Sequence, residues 1–415
     1  MTVLEHEDRS IDYPKLRPVE AIPAQKNMIC LRDPQGFSDK LVFLPPEAFF
    51  IVTLFDGNHS ILDIQESYTR RFGDLLFSDK VRELIEKLDS CLFLDSSRFQ
   101  EERRKVTEAF KKEKVRPASH AGTAYENDED ALREQLRGLF ESPDGPGLPD
   151  VESPTGRLCG LIAPHIDIRR GGVCFAHSYA DFFKECSAHV IIILGIAHVH
   201  TQRRFVLTRK DFSTPLGVLK ADHDFIDSLS GRCKTDFFED ELVHRGEHSI
   251  EFQTLFLRYL HSDDDIMIVP ILCSMREQDY HGGSLEEDGE FQEFTGGLRE
   301  TISERDDDVC FIAGVDLSHL GRRFGQDIEM NDTLLAWARE KDMEMIKPIL
   351  DRDAEGFLKL IQDEKDSRNV CGVPALYTML KLLDANSSKL LKYGQSVEEQ
   401  TQSVVTFMGA GFYRE

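Results

Sequence analysis

Five residues at the ends of expected strands or loops in this 415-residue chain could do metal or acid–base chemistry. His165 closes "LIAPHID", His198 closes "IIILGIAHVH", Asp316 and His319 lie in "FIAGVDLSHL", and Cys371 lies in "SRNVCGVP". Neutral imidazole is a good donor to zinc, copper and iron, and a thiolate shifts the preference toward copper, zinc or ferrous iron. Cys371 sits at an expected helix start just before Pro374, where a helix N-terminus lowers a thiol pKa. Asp316 and His319, three residues apart, suit either a ligand with its orienting carboxylate or an acid–base pair. In "EHSIEFQ", His248 and Glu251 are also three apart and would share one helix face at the edge of the pocket.

These side chains act together only if the fold gathers them. In an open α/β sheet, ligands bind beyond the carboxyl ends of the strands. The texture from residue 115 onward is of that kind. "LCGLIAP", "HVIIILG", "RFVLTR", "IMIVPIL", "VCFIAG" and "VVTFMGAGFY" read as strands, and "GVCFAHSYADFFKEC", "HSIEFQTLFLRYL", "NDTLLAWAREKDMEMIKPIL" and "PALYTMLKLLD" as helices. Near-continuous Val/Ile runs mean strands buried on both faces. The expectation is a mixed α/β sheet flanked by helices. The polar stretch "REQDYHGGSLEEDGEFQEF" at 276–294 reads as a surface loop.

Residues 1–26 read as a flexible lead-in, 27–97 as a small domain, 98–114 as a charged linker helix and 115–415 as the main domain. In the small domain, three helical runs, "PPEAFFIVTLF", "ILDIQESYTRRFG" and "DKVRELIEKLDSC", precede a strand-like "LFLDS". Helices followed by a β ribbon are a winged-helix-like, α+β pattern.

Composition excludes several classes. The formal charge is −25, with a net of −3 over residues 1–114 and −22 over 115–415. A field of that sign disfavours nucleic acid and anionic membranes. The nine cysteines are scattered without CxxC pairs, which argues against a disulfide framework, a zinc ribbon or an iron–sulfur cluster. "VIIILGIA" is too short to span a bilayer, and "MTVLEHEDRSID" lacks the regions of a signal peptide, so a cytoplasmic protein is expected. There is no Gly-rich phosphate loop, GxSxG elbow or HExxH helix.

Taken in order, "VRPASHAGTAY", "IAPHIDIRRGG", "LGIAHVH", "FSTPLG", "EHSIEFQ", "GVDLSHLG", "NVCGVPAL" and "LKYGQS…SVVTFMGAGFY" resemble the MEMO family, protein B of the AmmeMemoRadiSam system. The resemblance implies a fold like that of the class III extradiol dioxygenases and a pocket in which His165, His198 and Cys371 converge on iron or copper. Asp316 and His319 would line it. A cysteine stands where those dioxygenases carry a glutamate ligand. The resemblance also implies a radical-SAM protein and an AMMECR-type protein as partners. Residues 27–97 are similar to PqqD-like domains that present peptides to radical-SAM enzymes. Three functions follow as alternatives: a metal-binding protein of a radical-SAM-linked system, an oxygen-dependent non-haem oxidoreductase, and an interaction module with a vestigial site.

Overall fold

The computed structural model describes residues 12–150, 154–261, 266–305 and 309–414. The chain divides into two compact units, one up to Lys112 and one from Glu113 onward.

The first unit begins with a three-stranded antiparallel sheet, β1 (Glu20–Ala24), β2 (Met28–Arg32) and β3 (Val42–Leu44). Helices α1 (Pro46–Thr53), α2 (Ile61–Phe72), α3 (Ser78–Ser90) and α4 (Ser97–Lys112) follow. Ser60 and Asp63 form a reciprocal capping box at the start of α2, and Gly73 ends it in the left-handed conformation. Leu31, Val42, Leu44, Val52, Ile64, Val81, Ile85 and Leu88 fill the core.

Two expectations change here. The stretch assigned to the lead-in contributes β1, which pairs antiparallel with β2 at the edge of the small sheet. The expected "LFLDS" strand is instead a turn out of α3, with Leu92 at φ 61° and Phe93 and Leu94 both buried. Among the described residues it pairs through an isolated bridge from Leu94 to Leu16. Two consecutive buried residues do not make the period-2 pattern of a strand. The small sheet therefore precedes the helices.

In the second unit the elements run β4 (Val115–Arg116), α5 (Glu129–Phe140), β5 (Leu158–Ala163), α6 (Ile168–Glu185), β6 (Val190–Ile196), β7 (Phe205–Leu207), β8 (Asp211–Thr214) and β9 (Gly217–Ala221). They continue through α7 (His223–Arg232), α8 (His248–Leu260), β10 (Met267–Cys273), α9 (Gly289–Ser303), β11 (Val309–Gly314) and β12 (His319–Gly321). The unit closes with α10 (Asp332–Leu350), α11 (Ala354–Asp363), α12 (Val373–Leu382), β13 (Ser387–Glu398) and β14 (Ser403–Tyr413). One mixed sheet runs β12-β14-β5-β11-β6-β10-β9-β8-β4, with β13 on β14 and β7 on β10.

Its centre is parallel: β5 pairs with β11, β11 with β6, and β6 with β10. Every residue of β5, β6 and β11 is buried. Alternation divides them between two cores. Ile191 and Ile193 face α6 and α8 residues such as Phe175 and Phe256. Val190, Ile192 and Leu194 face α9 and α12 residues such as Phe294 and Leu376. Among the described residues no helix is long and apolar enough to cross a membrane.

The stretch expected as a surface loop is partly internal. Asp279 is buried and accepts from the Arg204 guanidinium at 2.5 and 3.1 Å, and α9 begins at Gly289. A sequence of charged residues hides a buried ion pair whenever the partner lies elsewhere in the chain.

Parallel strands put their carboxyl ends on one edge, and the N-terminus of α8 docks there. The Ser249 hydroxyl accepts from the Ile196 amide at 2.9 Å and donates to the Ile196 carbonyl at 3.1 Å. Gly195 leaves the room: a Cβ there would lie 2.6 Å from both the Ser249 hydroxyl and Ile250 Cγ1. Gly195→Ala should lower the unfolding free energy by about 1–3 kcal/mol, the cost of overpacking. Urea denaturation monitored by circular dichroism measures it, and an unchanged midpoint would mean that α8 is not seated this tightly.

Candidate functional site

Beyond Ala163 at the end of β5, the chain turns through Pro164 and presents His165. Beyond Ile196 at the end of β6 it presents His198, and α8 opens with His248. One donor atom from each of these three imidazoles lies within 4.8 Å of the other two. The ring centroids are 4.9 Å apart for His165 and His198, 5.3 Å for His165 and His248, and 4.7 Å for His198 and His248.

Each ring has an oxygen close to its Nδ1. His165 Nδ1 lies 2.8 Å from the Gly314 carbonyl and donates to it. His198 Nδ1 lies 3.0 Å from both carboxylate oxygens of Glu247, and His248 Nδ1 lies 3.2 Å from one of them. An acceptor on Nδ1 leaves the Nε2 lone pair for a metal or a proton, the usual outer-layer device of histidine metal sites.

Glu247 does more than hold rings. Its carboxylate accepts from the backbone N–H of His198 at 3.1 Å, of His248 at 2.8 Å and of Ser249 at 3.0 Å. It is thus the N-cap of α8 and the tie between α8 and the loop after β6.

Cys371 lies beside the group, its Sγ 3.3 Å from His165 Nε2 and 3.8 Å from the Asp316 carbonyl. Gly372 makes this approach possible, since a Cβ there would sit 2.7 Å from the same carbonyl. The expected helix-start effect on the thiol is absent: burial pushes the Cys371 pKa up, against a hydrogen bond with His198 that pulls it down. Helix α12 begins two residues later, at Val373, so the thiol caps nothing.

Asp316 lies on the loop after β11, and His319 opens β12. The buried Asp316 carboxylate accepts from the His165 N–H at 3.0 Å, and its other oxygen lies 3.7 Å from His165 Nε2. His319 Nδ1 donates to the Leu317 carbonyl at 3.0 Å, and its ring meets Phe324 edge-on at 5.0 Å. Ser318 between them donates to Asp342 at 2.6 Å, and the buried Arg368 bonds both Ser318, at 3.0 Å, and Asp342, at 2.8 Å.

Burial and mutual charge set the protonation states. Burial pushes the His165 pKa down to about 3, aided by the charge of His198. Burial likewise pushes His248 well below the usual histidine value and lowers His319. His198 goes the other way: burial opposes its charge, but Glu247 and Cys371 outweigh that and hold it well above the ordinary value. Burial alone would keep Glu247 neutral, yet His198 and His248 hold it well below the carboxylate range. Burial pushes Asp316 up to about 6. The site is therefore two neutral imidazoles beside one His⁺–carboxylate pair, with a second carboxylate that titrates close to neutrality.

His165 and His198 from the expected ligand set are brought together, with Cys371 against His165. His248, expected at the pocket edge, supplies the third nitrogen of the group. Glu251 is turned away from it. The Glu251 carboxylate lies 2.5 Å from the fully buried Arg116 guanidinium and also accepts from Ser119, His120 and Tyr125. The i,i+3 spacing places Glu251 on the His248 side of the helix, but a nearby Arg116 is the stronger attraction for a buried carboxylate.

Arg116 in turn donates to the carbonyls of His244, at 2.6 Å, and Glu247, at 2.7 Å, so this pair braces the turn that carries Glu247. Sequence reasoning passed over Glu247, although a Glu directly before a helical run at a cap position was the available signal.

The family model described as Memo-like protein matches residues 116–411. A MEMO1 family protein of Aquifex aeolicus is 27% identical over 409 residues, covering 96% of this chain and all of the relative. One from Metallosphaera sedula is 30% identical over 308 residues, covering 72% of this chain and 99% of the relative. One from Methanopyrus kandleri is 28% identical over 282 residues, covering 66% and 90% respectively.

Glu251→Ala leaves Arg116 buried without its carboxylate and should destabilise the protein by about 3–5 kcal/mol. Arg116→Met with Glu251→Leu should recover much of that loss in denaturant titrations. A single variant as stable as the parent would contradict the bracing role.

His244 gives a pH test away from the three rings. It is fully buried, its Nε2 3.0 Å from the Val206 carbonyl, and burial pushes its pKa down to about 3. Between the unfolded value near 6.5 and the folded value near 3, the unfolded chain binds the extra proton. Stability from this residue is thus present above pH 6.5 and falls as pH drops, by up to about 1.4 kcal/mol per pH unit. His244→Gln, which keeps a donor to Val206, should flatten the acid limb of a stability profile by that amount; an unchanged slope would show that His244 titrates normally when folded.

Proposed function

We propose a metal-binding function for this chain, which belongs to the Memo family, with iron or copper held by His165, His198 and His248 and with Cys371 at the edge of the same pocket. The observation that carries the reading is the three-imidazole group whose donor atoms lie within 4.8 Å of one another. The chemistry of the donors fits such an ion: His165 and His248 are neutral at physiological pH, and their Nδ1 atoms are already engaged. A bound ferrous or cuprous ion would supply a Lewis-acidic, redox-active centre. Loading it would release protons from His198 and Cys371. The Glu247 carboxylate would keep its role as the acceptor that orients His198 and His248.

A second reading, an oxygen-dependent oxidoreductase of the dioxygenase-like kind, is favoured by one feature. Asp316 is a buried carboxyl held near pH 6, against the first metal-capable histidine. A group with that pKa can take and return a proton near neutrality, and His319 is within reach of its charge. The family resemblance adds a radical-SAM protein and an AMMECR-type protein as partners. The likeness of residues 27–97 to PqqD-like domains adds a peptide-presenting role for the first unit.

Metal analysis by mass spectrometry on untagged protein tests the first reading. Near-stoichiometric iron or copper is expected in the wild type and should be lost in His165→Ala, His198→Ala and His248→Ala. Cys371→Ser should bind more weakly, and Glu247→Gln should lose about 10–100-fold in affinity as an outer-layer partner. A wild type that takes up neither ion after anaerobic loading sinks the proposal. Oxygen uptake with catecholic substrates tests the second: it should vanish in Asp316→Asn and His319→Asn at unchanged metal content.

A further inference from the structure

A second concave site lies between the first turn of α6 and β13. It is a cleft of about 190 Å³ lined by Asp144, Arg170, Val173, Lys392, Tyr393 and Phe407, among others. Its polar walls are mostly committed. Tyr393 donates to Asp342 at 2.8 Å, and Gln395 donates to the Leu335 carbonyl at 3.0 Å and to the Tyr393 hydroxyl at 3.1 Å.

The two cations are not. Arg170 is aimed by Ser396, with Nε 2.8 Å from the hydroxyl and one terminal nitrogen 3.3 Å from the carbonyl, and no carboxylate of the described residues pairs with it. Lys392 Nζ has no hydrogen-bond or ion-pair partner among the described residues. Both occur in a region, residues 115–415, that carries a net charge of −22, where most basic side chains can find an acid. An oriented guanidinium and a free ammonium on one concave surface, with Phe407 in its wall, form an arrangement that recognises an oxyanion. Asp144 on the same rim favours an anion that also carries a hydrogen to donate.

We propose that this cleft binds a small hydroxylated or protonated oxyanion, a carboxylate or phosphoryl group on a body of a few heavy atoms, through Arg170 and Lys392. The volume is too small for a nucleotide or a peptide side of any length. Through Gly171 and Phe407 the bound anion would touch residues that pack on Ile166, the neighbour of His165: a Cβ on Gly171 would lie 2.4 Å from Ile166 Cγ2 and 3.8 Å from the Phe407 ring. Occupancy can thereby be felt at the histidine group, but binding does not require a metal there.

Isothermal titration calorimetry of the full-length, chelator-treated protein with inorganic phosphate and with malate tests the proposal. Saturable binding of one of them is expected, weakened at least tenfold in Lys392→Ala and in Arg170→Ala. Phosphate alone assigns a phosphoryl ligand, malate alone a carboxylate, and both a general oxyanion site. Lys392→Ala removes no bond that holds the fold, so it keeps the result readable if Arg170→Ala misfolds. Binding of neither probe, or equal binding in wild type and Lys392→Ala, overturns the proposal.

Discussion

One carboxylate holds the candidate centre together. Glu247 caps the helix that begins at His248, accepts the His198 backbone N–H, and faces the Nδ1 atoms of both rings. A buried carboxylate is costly unless its lone pairs are filled by donors. Here they are filled by three backbone N–H groups and two imidazoles, and that demand fixes where α8 starts and how two of the three rings turn. The third ring, His165, is fixed by the strands instead, through the Gly314 carbonyl at the end of β11 and the carboxylate of Asp316 just beyond it. The site is therefore the meeting point of a helix cap and a strand edge.

Outer layers repeat the same logic. Arg116 and Glu251 neutralise each other while the guanidinium collects the carbonyls of His244 and Glu247. On the opposite flank Arg368 and Asp342 grip Ser318, between Asp316 and His319. Buried ion pairs contribute little net stability over a well-packed apolar core, but each fixes a geometry that apolar contacts would leave adjustable. Arg116 opens the stretch matched by the family model, so this pair ties its start to the helix that carries His248.

The sheet was legible because its strands announce themselves. Valine and isoleucine runs such as "VIIIL" leave no polar face to put in water, so they must be central and parallel. His165, His198, Asp316, His319 and Cys371 were legible for a related reason, since each is the first chemistry-bearing residue beyond such a run or at a turn facing it. What the sequence hid was pairing. Nothing local says that Glu251 answers Arg116 or that Asp279 answers Arg204, because the partner lies 135 residues away in one case and 75 in the other. Glu247 was hidden differently: a helical period makes Glu251 the natural partner of His248, whereas capping geometry puts the working carboxylate before the helix. In the first unit, Phe93 and Leu94 looked like a strand because they are apolar and follow a helix. Their consecutive burial shows that the core needed two anchors there, not a ladder.

The electrostatics of the group show why three similar rings need not behave alike. His165 is buried and His248 half-buried, and desolvation leaves both as neutral donors. His198 is the most exposed of the three, and it shares the Glu247 carboxylate, whose charge outweighs desolvation and keeps its proton in place. Asp316 sits where neither effect dominates completely, and its carboxyl changes state near pH 6. A cation placed among these groups would replace the His198 proton as the partner of Glu247's charge, so the same carboxylate that stabilises the metal-free pair would stabilise the loaded one.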